Sequence, residues 1–219
     1  MSYFKYYQEQ ASFFKKNGRL IKFKKNRYLV NSLEMSQWVY FLESGIVQAE
    51  FTLTNGAERL IGFFLPGMTF AQSGSFYDLS VGSLEYKTKT DAILYQLPKD
   101  LFLKSITKNS KLNAEYIDLL LRNQIYLIDR IVYQGAIDLE DKFLNWIIFM
   151  VKFYGEQKEQ SFEIIVPLNH NDIANMLHTT RASINKLINK YKKLNIIQNN
   201  KWHIIVTNYS MLLKLANKE

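Results

Sequence analysis

The sequence LNHNDIANMLHTTRASINKLINKYKKLNII, residues 168–197, has the spacing of a helix-turn-helix unit. Asn169 and Thr180 are good helix-capping residues and predict the starts of two helices, with the turn at residues 178–179. Two helices that cross closely need a small residue where they touch, and Ala174 supplies it. The apolar positions are predicted to be Ile173, Ala174 and Leu177 in the first helix and Ile184, Leu187 and Leu194 in the second.

The residues after this unit predict a wing, which is a small two-stranded hairpin. Ile196 and Ile197 form its first apolar segment, residues 199–200 are a pair of asparagines, and residues 202–206 form its second segment. A helix-turn-helix followed by such a hairpin predicts a winged DNA-binding module.

The second helix, residues 180–194, carries hydrogen-bonding and cationic side chains of the kind that a helix in the major groove needs. The guanidinium of Arg181 is suited to the two acceptors on a guanine edge. The residues predicted to contact bases are Arg181, Ser183 and Lys186, and those predicted to contact phosphates are Thr180, Lys190, Lys193 and Lys201. The alternative is an ordinary helical hairpin with a solvated basic face.

Positive charge is concentrated in the same part of the chain. The formal net charge of all 219 residues is +8. Residues 168–218 contain eight lysines and arginines against the single acidic residue Asp172, so they contribute +7 of that charge. Such an asymmetry favours a module that binds a polyanion joined to a module with another task, although a soluble lysine-rich tail would look the same.

The segment from residue 20 to residue 97 predicts a small antiparallel β-barrel or roll. Its short runs of β-branched and aromatic residues are separated by turn signals at Gly45, Asn55-Gly56 and Pro66-Gly67. Before this segment, apolar residues at helical spacing predict a short leading helix that ends at Gly18; they are Phe4, Tyr7, Ala11 and Phe14.

Residues 111–134 predict one long helix with a heptad-like apolar seam. The predicted seam consists of Ile117, Leu121, Gln124, Ile128 and Ile131. Because other faces of the helix are apolar too, we expect it to pack both on its own chain and on the same helix of a second subunit. The alternative is that it packs entirely within its own chain. Asp138 is a good cap for a further helix over residues 139–154, which a polar loop at 155–160 and a strand at 162–166 follow.

Several function classes are disfavoured by composition. The chain has no cysteine, which excludes disulfides, thiol catalysis and cysteine-bound metal clusters. Its three histidines, His170, His178 and His203, all lie in the basic module, so no metal site or cofactor is expected. No apolar run approaches the length of about 20 residues that spans a bilayer, so we expect a cytoplasmic protein without a membrane partner. No spacing indicates an enzyme, and none is expected.

From about residue 20 onward the chain resembles the Crp/Fnr superfamily of bacterial transcription regulators. Gly45, Gly56 and Gly67 match the turns of that family's cyclic-nucleotide-binding β-roll, and residues 168–197 match its DNA-reading motif. The resemblance implies an α+β fold: an N-terminal antiparallel β-roll of the double-stranded β-helix or jelly-roll type, a long dimerisation helix, and a C-terminal winged helix-turn-helix. The corresponding domains would be residues 1–109, 110–137 and 138–219.

The resemblance also implies roles for individual residues. Arg181 and Lys186 occupy the family's base- and phosphate-contacting positions, and residues 155–160 become a candidate contact for RNA polymerase. Ala182 departs from the family, because many members have a glutamate there that reads a cytosine or adenine amino group. His178 stands where a glycine is usual in the turn, which implies a small loss of stability.

The sequence of the predicted N-terminal β-roll departs further from the family. Members that bind cyclic AMP hold its phosphate with an arginine, whereas this chain has no arginine between Arg59 and Arg122, so cyclic AMP is not the expected effector. Firmicute members such as the listerial virulence activator have likewise lost that motif. A set of aromatic residues could line a pocket for an unidentified small-molecule effector, but the favoured prediction is that they simply fill the core; they include Phe63, Phe70, Tyr77, Tyr86 and Tyr126.

These patterns together predict a homodimeric, sequence-specific transcription regulator that reads an inverted repeat in double-stranded DNA and acts on RNA polymerase. The alternative function is a ligand-binding regulatory subunit whose basic module docks on an acidic protein.

Overall fold

Antiparallel strands dominate the N-terminal half of the chain. The computed structural model of the whole chain describes residues 3–29, 37–54, 56, 58–71, 82–135, 138–200 and 203–217. The strands are β1 (Arg19–Phe23), β2 (Trp38–Ser44), β3 (Val47–Leu53), β4 (Glu58–Phe64), β5 (Thr69–Ala71), β6 (Gly82–Thr88) and β7 (Ala92–Pro98). They form one sheet of order β1-β7-β2-β5 and a second of order β4-β3-β6. All the pairings are antiparallel.

One apolar core joins the two sheets. Tyr40 and Leu94 reach it from the first sheet, and Val47 and Tyr86 reach it from the second. The ring of Phe70 lies 5.0 Å from that of Tyr86, measured between centroids. Two sheets that share a core in this way form the antiparallel β-roll that the sequence predicts.

Glycines turn the chain at the predicted positions. Gly45, between β2 and β3, has φ +90°, and a Cβ atom there would lie 2.2 Å from the carbonyl oxygen of Asp91. Gly67 has φ +92°. Both positions need glycine, because a side chain rarely tolerates positive φ and here has no space. Gly56, with φ +81°, follows β3 in the predicted hairpin, whose other residue, Asn55, lies outside the described residues.

Among the described residues, helix α1 (Gln8–Asn17) precedes the roll in sequence, and helices α2 (Lys99–Ile106) and α3 (Ser110–Gln134) follow it. The predicted leading helix is α1, whose Phe14 is fully buried and lies 5.6 Å, between ring centroids, from both Phe41 and Phe102. Gly18 ends α1 in an extended conformation, with φ −92°, and its N–H donates to the carbonyl oxygen of Phe14. The predicted long helix is α3.

The chain divides into two compact units, and the division falls inside α3. Residues 4–122 form one unit, and residues 123–219 with residues 1–3 form the other. The domain limits predicted from the sequence, 109/110 and 137/138, lie near the two ends of α3 and not inside it. These limits stay a prediction.

The second unit contains the helices α4 (Leu139–Tyr154), α5 (His170–Leu177), α6 (Arg181–Lys193) and α7 (Tyr209–Asn217). Its strands are β8 (Gly155–Lys158), β9 (Ser161–Ile164), β10 (Ile197–Asn200) and β11 (His203–Val206). As predicted, Asp138 caps α4: its carboxylate accepts a hydrogen bond from the N–H of Asp141 at 2.7 Å. Phe143, Trp146 and Ile147 are fully buried, so α4 forms the centre of this unit.

The wing is larger than the sequence predicts. The strands of this sheet follow the order β10-β11-β9-β8, all antiparallel. The prediction of a loop at residues 155–160 was wrong for residues 155–158, which form β8 and pair with β9 from Gly155 opposite Ile164 to Lys158 opposite Ser161. The predicted strand at 162–166 is β9, at Ser161–Ile164. Pairing between strands stabilises the polar segment, which has no strand pattern of its own.

Within the described ranges, none of the helices has both the length and the hydropathy required to span a lipid bilayer.

Candidate nucleic-acid interface

Helix α5 begins with a reciprocal cap, as the sequence predicts. The Asn169 side chain accepts hydrogen bonds from the N–H groups of Asn171 at 2.8 Å and Asp172 at 3.0 Å. In return, the Asp172 carboxylate accepts from the N–H of Asn169 at 2.8 Å. This capping box fixes where α5 starts and satisfies N–H groups that would otherwise lack partners.

A sharp turn separates α5 from α6. His178 adopts the left-handed conformation, with φ 55° and ψ 48°, and its N–H donates to the carbonyl oxygen of Ala174. The N–H of Thr179 donates to the same oxygen at 2.9 Å. Thr180 then caps α6 by accepting from the N–H of Ser183 at 3.1 Å. The predicted turn and both predicted caps are therefore present.

The two helices pack through buried side chains close to those predicted. Ala174 is 5% exposed and Ile173 and Ile184 are fully buried. On α6, however, the other buried residues are Ile188 and Tyr191, at 2% exposure each. Leu187 is only half-buried and Leu194 is 54% exposed. Leu194 was predicted to pack here, but it follows the last turn of α6 as its C-cap and points away from the core.

Helix α6 presents a continuous exposed ridge opposite its buried face. The ridge residues follow the spacing i, i+4, i+7 and i+11, which returns to the same side of a helix. They are Ala182, Lys186, Asn189 and Lys193, and all four are exposed. Arg181 is also exposed and lies beside the ridge in the first turn. A capped helix with such a ridge has the form that the major groove accepts.

The polar residues predicted to contact DNA occupy different environments. Arg181, Lys186 and Lys193 are exposed. The hydroxyls of Thr180 and Ser183 are 3.0 Å apart, so part of their hydrogen-bonding capacity is used at the cap. Lys201 lies outside the described residues, and Lys190 forms an ion pair.

The partner of Lys190 is Glu140, in the first turn of α4, a pair that the sequence does not predict. The Lys190 ammonium and the Tyr191 hydroxyl both donate to the same oxygen, Oε1 of Glu140. These two hydrogen bonds lower the pKa of the Glu140 carboxyl. Burial, and then the Glu140 carboxylate, raise the pKa of the Tyr191 hydroxyl. Fifty residues separate Lys190 from Glu140, so no local pattern could have paired them.

A second contact that the sequence did not reveal joins α5 to α6. The ring nitrogen Nδ1 of His170 lies in hydrogen-bonding contact with the side-chain oxygen of Asn185. This contact leaves the Asn185 side chain partly buried. In the wing, His203 Nδ1 lies 3.3 Å from a carboxylate oxygen of Glu163. No group of His, Asp or Glu side chains in the described ranges is placed to hold a metal ion.

Helix α3 has one buried face and one exposed apolar face. Its buried apolar residues, Leu112, Leu119, Tyr126 and Tyr133, recur every seven residues. The predicted seam lies on the exposed side: Ile117 is 48% exposed, Leu121 55%, Ile128 51% and Ile131 70%, and Gln124 is exposed as well. Packing on its own chain therefore leaves the seam of α3 uncovered, and the dimer stays a prediction.

The predicted effector-pocket residues are distributed over both units. Phe63, Phe70 and Tyr86 are almost completely buried in the first unit. Tyr126 belongs to the second unit, where its ring lies 4.9 Å from Phe149. Tyr77 lies outside the described residues. Phe70 and Tyr86 are members of the core between the two sheets, which is the role that the sequence favours for them.

Comparison with known proteins identifies both halves of the chain. Residues 20–109 match the model of the cyclic nucleotide-binding domain, and residues 142–215 match that of the Crp-like helix-turn-helix domain. The chain belongs to the Crp/Fnr family. It is therefore a Crp/Fnr-type transcription regulator, with the family's DNA-binding module and its cyclic-nucleotide-binding-like module.

Relatives across this family share the fold at low sequence identity. The anaerobic regulatory protein of Haemophilus influenzae is 20% identical over 192 residues, which cover 88% of this chain and 74% of that protein. A mutant of CooA from Carboxydothermus hydrogenoformans has a TM-score of 0.76 at 17% identity, covering 94% of this chain and 90% of the other. FixK2 of Bradyrhizobium japonicum has a TM-score of 0.69 at 17% identity, covering 90% and 96%. These structures share the Crp/Fnr fold with this chain.

Proposed function

We propose that this Crp/Fnr regulator is a cytoplasmic homodimer that binds an inverted repeat in double-stranded DNA. The observation that carries the proposal is the ridge of Ala182, Lys186, Asn189 and Lys193 on the capped helix α6. Two such helices, related by a two-fold axis, would enter successive major grooves about 34 Å apart. The symmetry of the protein would then be mirrored in the sequence of the site.

Within each half-site, Arg181 is proposed to read a guanine, because its guanidinium can donate to both acceptors on that base edge. Lys186 and Ser183 contact a base or a neighbouring phosphate. Lys193, at the far end of the ridge, contacts phosphate, as do Thr180, Lys190 and Lys201. Phosphate contacts fix the position of the protein on the duplex without distinguishing sequences.

Ala182 shapes the half-site in another way. It lies on the exposed ridge next to Arg181 and offers only a methyl group. A methyl group cannot accept a hydrogen bond from the amino group of cytosine or adenine, but it can contact the methyl group of thymine. We therefore expect the half-site of this protein to differ at that position from sites read by relatives with a glutamate.

The exposed apolar face of α3 supports the dimer. Ile128 and Ile131 are 51% and 70% exposed in the single chain, and a contiguous apolar face of this kind marks an interaction surface. Pairing with the same face of a second copy would cover both seams through one isologous contact.

The regulatory input is proposed to be a small molecule other than cyclic AMP. In the roll, the arginine that would neutralise a cyclic phosphate is missing from the sequence between Arg59 and Arg122. An effector would act by binding the DNA-competent arrangement more tightly than the alternative arrangement. The bound dimer would then recruit or block RNA polymerase.

Selection of bound sequences from random duplex DNA tests this function. The expected product is an inverted repeat with half-sites one helical turn apart, recovered with the purified protein either alone or with a metabolite extract. Affinity for the selected site should fall steeply as salt is raised, because phosphate contacts release counterions. Selection of no sequence under any of these conditions would contradict the proposal, as would binding to an acidic protein in place of DNA.

A further inference from the structure

The first turn of α4 lies against the second half of α6. Glu140 Oε1 accepts hydrogen bonds from the Lys190 ammonium and from the Tyr191 hydroxyl. Asp138 and Asp141 line the same open cleft beside Tyr191. Lys190 therefore meets a carboxylate of its own chain, Glu140, and two further carboxylates line the cleft beside Glu140.

Lys190 differs in this respect from the cations along the ridge of α6. Lys186 and Lys193 are exposed, and in the part of the chain that the structure describes Lys190 is the only α6 cation in an ion pair. The pair is open to solvent, since 51% of the Lys190 side chain and 39% of the Glu140 side chain are exposed. The Lys190 ammonium is therefore accessible to a second anion from the solvent.

A buried tyrosine holds the carboxylate in place. Tyr191 is 2% exposed, and its ring stacks on that of Phe143 with centroids 5.8 Å apart. Because the Tyr191 hydroxyl donates to the oxygen that Lys190 also contacts, Glu140 is anchored to the helix it faces. An anchored carboxylate stays beside Lys190, whereas a freely rotating side chain would not.

A carboxylate and a DNA phosphate offer the same partner to an ammonium group, namely anionic oxygens. For Lys190 to bind a phosphate it must leave Glu140, or it must bridge two anions that repel each other. In both cases, contact between Lys190 and the DNA backbone becomes less favourable.

We propose that Glu140 is an intrachain mimic of a DNA phosphate, which occupies Lys190 and so weakens sequence-independent binding of α6 to duplex DNA. The inference rests on the proposed DNA-binding function. Because phosphate contacts do not distinguish sequences, Glu140 lowers the affinity for specific and random duplexes alike. Glu140 is a positioning residue, because it acts through Lys190.

The variant Glu140→Gln tests this directly, because glutamine keeps an oxygen that can accept from Tyr191 and removes the negative charge. The measurement is the affinity for a random duplex at a series of salt concentrations, with fluorescence anisotropy as the readout of binding. We expect affinity at low salt to rise about two- to fivefold, the scale of an exposed ion pair. The slope of log affinity against log salt should steepen by up to about 0.9, the value for one added phosphate contact.

Three matched variants separate this effect from a general change in charge. Asp138→Asn removes a neighbouring charge but leaves an excellent helix cap, and it should raise affinity less than Glu140→Gln. Tyr191→Phe removes the hydroxyl that anchors Glu140 but no charge, so affinity for random DNA should rise, by less than with Glu140→Gln. In a Lys190→Ala background, Glu140→Gln should no longer increase binding.

Equal gains from Asp138→Asn and Glu140→Gln, or a gain that persists without Lys190, would overturn the inference. So would a folded Glu140→Gln protein that binds random DNA no better than the wild type, and in that case the proposed function would stand. If the wild type binds no duplex even in dilute salt, the proposed function and this inference fail together.

Discussion

His170, the first residue of α5, contacts Asn185 in the middle of α6 through its ring nitrogen Nδ1. The contact ties together the two helices whose relative position decides what α6 presents to DNA. We predict that His170→Ala and Asn185→Ala each destabilise the protein by about 1 kcal/mol, the net value of one hydrogen bond. Urea unfolding of both single variants and the double variant measures this. The double variant should lose clearly less than the sum of the two, and full additivity would show that the contact contributes nothing.

Local chemistry explains why the helix-turn-helix could be predicted from the sequence. The starts of α5 and α6 depend on Asn169 and Thr180, whose side chains accept hydrogen bonds from N–H groups two or three residues later. The long helix α3 is recognisable from the spacing of its apolar residues, which places them on particular faces of a helix. Such signals act over one or two helical turns and are visible in the sequence.

The features that sequence did not predict depend on contacts between distant residues. Strand β8 is polar and forms because β9 pairs with it. The pairs Glu140–Lys190 and His170–Asn185 are 50 and 15 residues apart, and nothing in either segment selects its partner. Tyr126 was assigned to a pocket by its aromatic character, whereas its ring packs on Phe149 of α4.

Arg181 and Lys193 should affect DNA binding in different ways. Arg181→Ala is expected to cost about 1–3 kcal/mol on the selected site and to relax the base preference, because it removes a donor pair that reads a base edge. Lys193→Ala should weaken binding to specific and random duplexes alike and reduce the salt slope by about one. Anisotropy titrations on both duplexes distinguish the two variants. Equal losses on specific and random DNA for Arg181→Ala would rule out its base-reading role.

His178 occupies a left-handed turn, with φ 55°, and such a conformation is strained for a residue with a Cβ atom. We predict that His178→Gly stabilises the protein by up to about 1 kcal/mol, which for a chain of this size raises Tm by about 2–4 °C. His178→Asn is the matched control and should stay close to the wild type, since asparagine tolerates this conformation. Thermal unfolding monitored by circular dichroism measures the Tm of each variant. A lower Tm for the glycine variant than for the wild type would contradict the strain argument.

The exposed face of α3 is expected to form the dimer. Replacing Ile128 and Ile131 with glutamate places charge in the seam and should shift the protein to monomers in sedimentation velocity, with loss of affinity for an inverted repeat. Lys111→Glu changes an exposed residue of the same helix outside the seam, and it should leave the dimer intact. A seam variant that sediments as the wild type does would assign the dimer contact, if any, to another surface.

The most direct test of the account is the stoichiometry of binding to the selected DNA site, measured together with binding to one half-site alone. Two protomers on each full duplex, with affinity that collapses when one half-site is scrambled or when the half-sites are moved apart by half a helical turn, is the predicted result. One protomer per duplex, or affinity indifferent to the spacing of the half-sites, would contradict the claim that paired α6 helices read an inverted repeat.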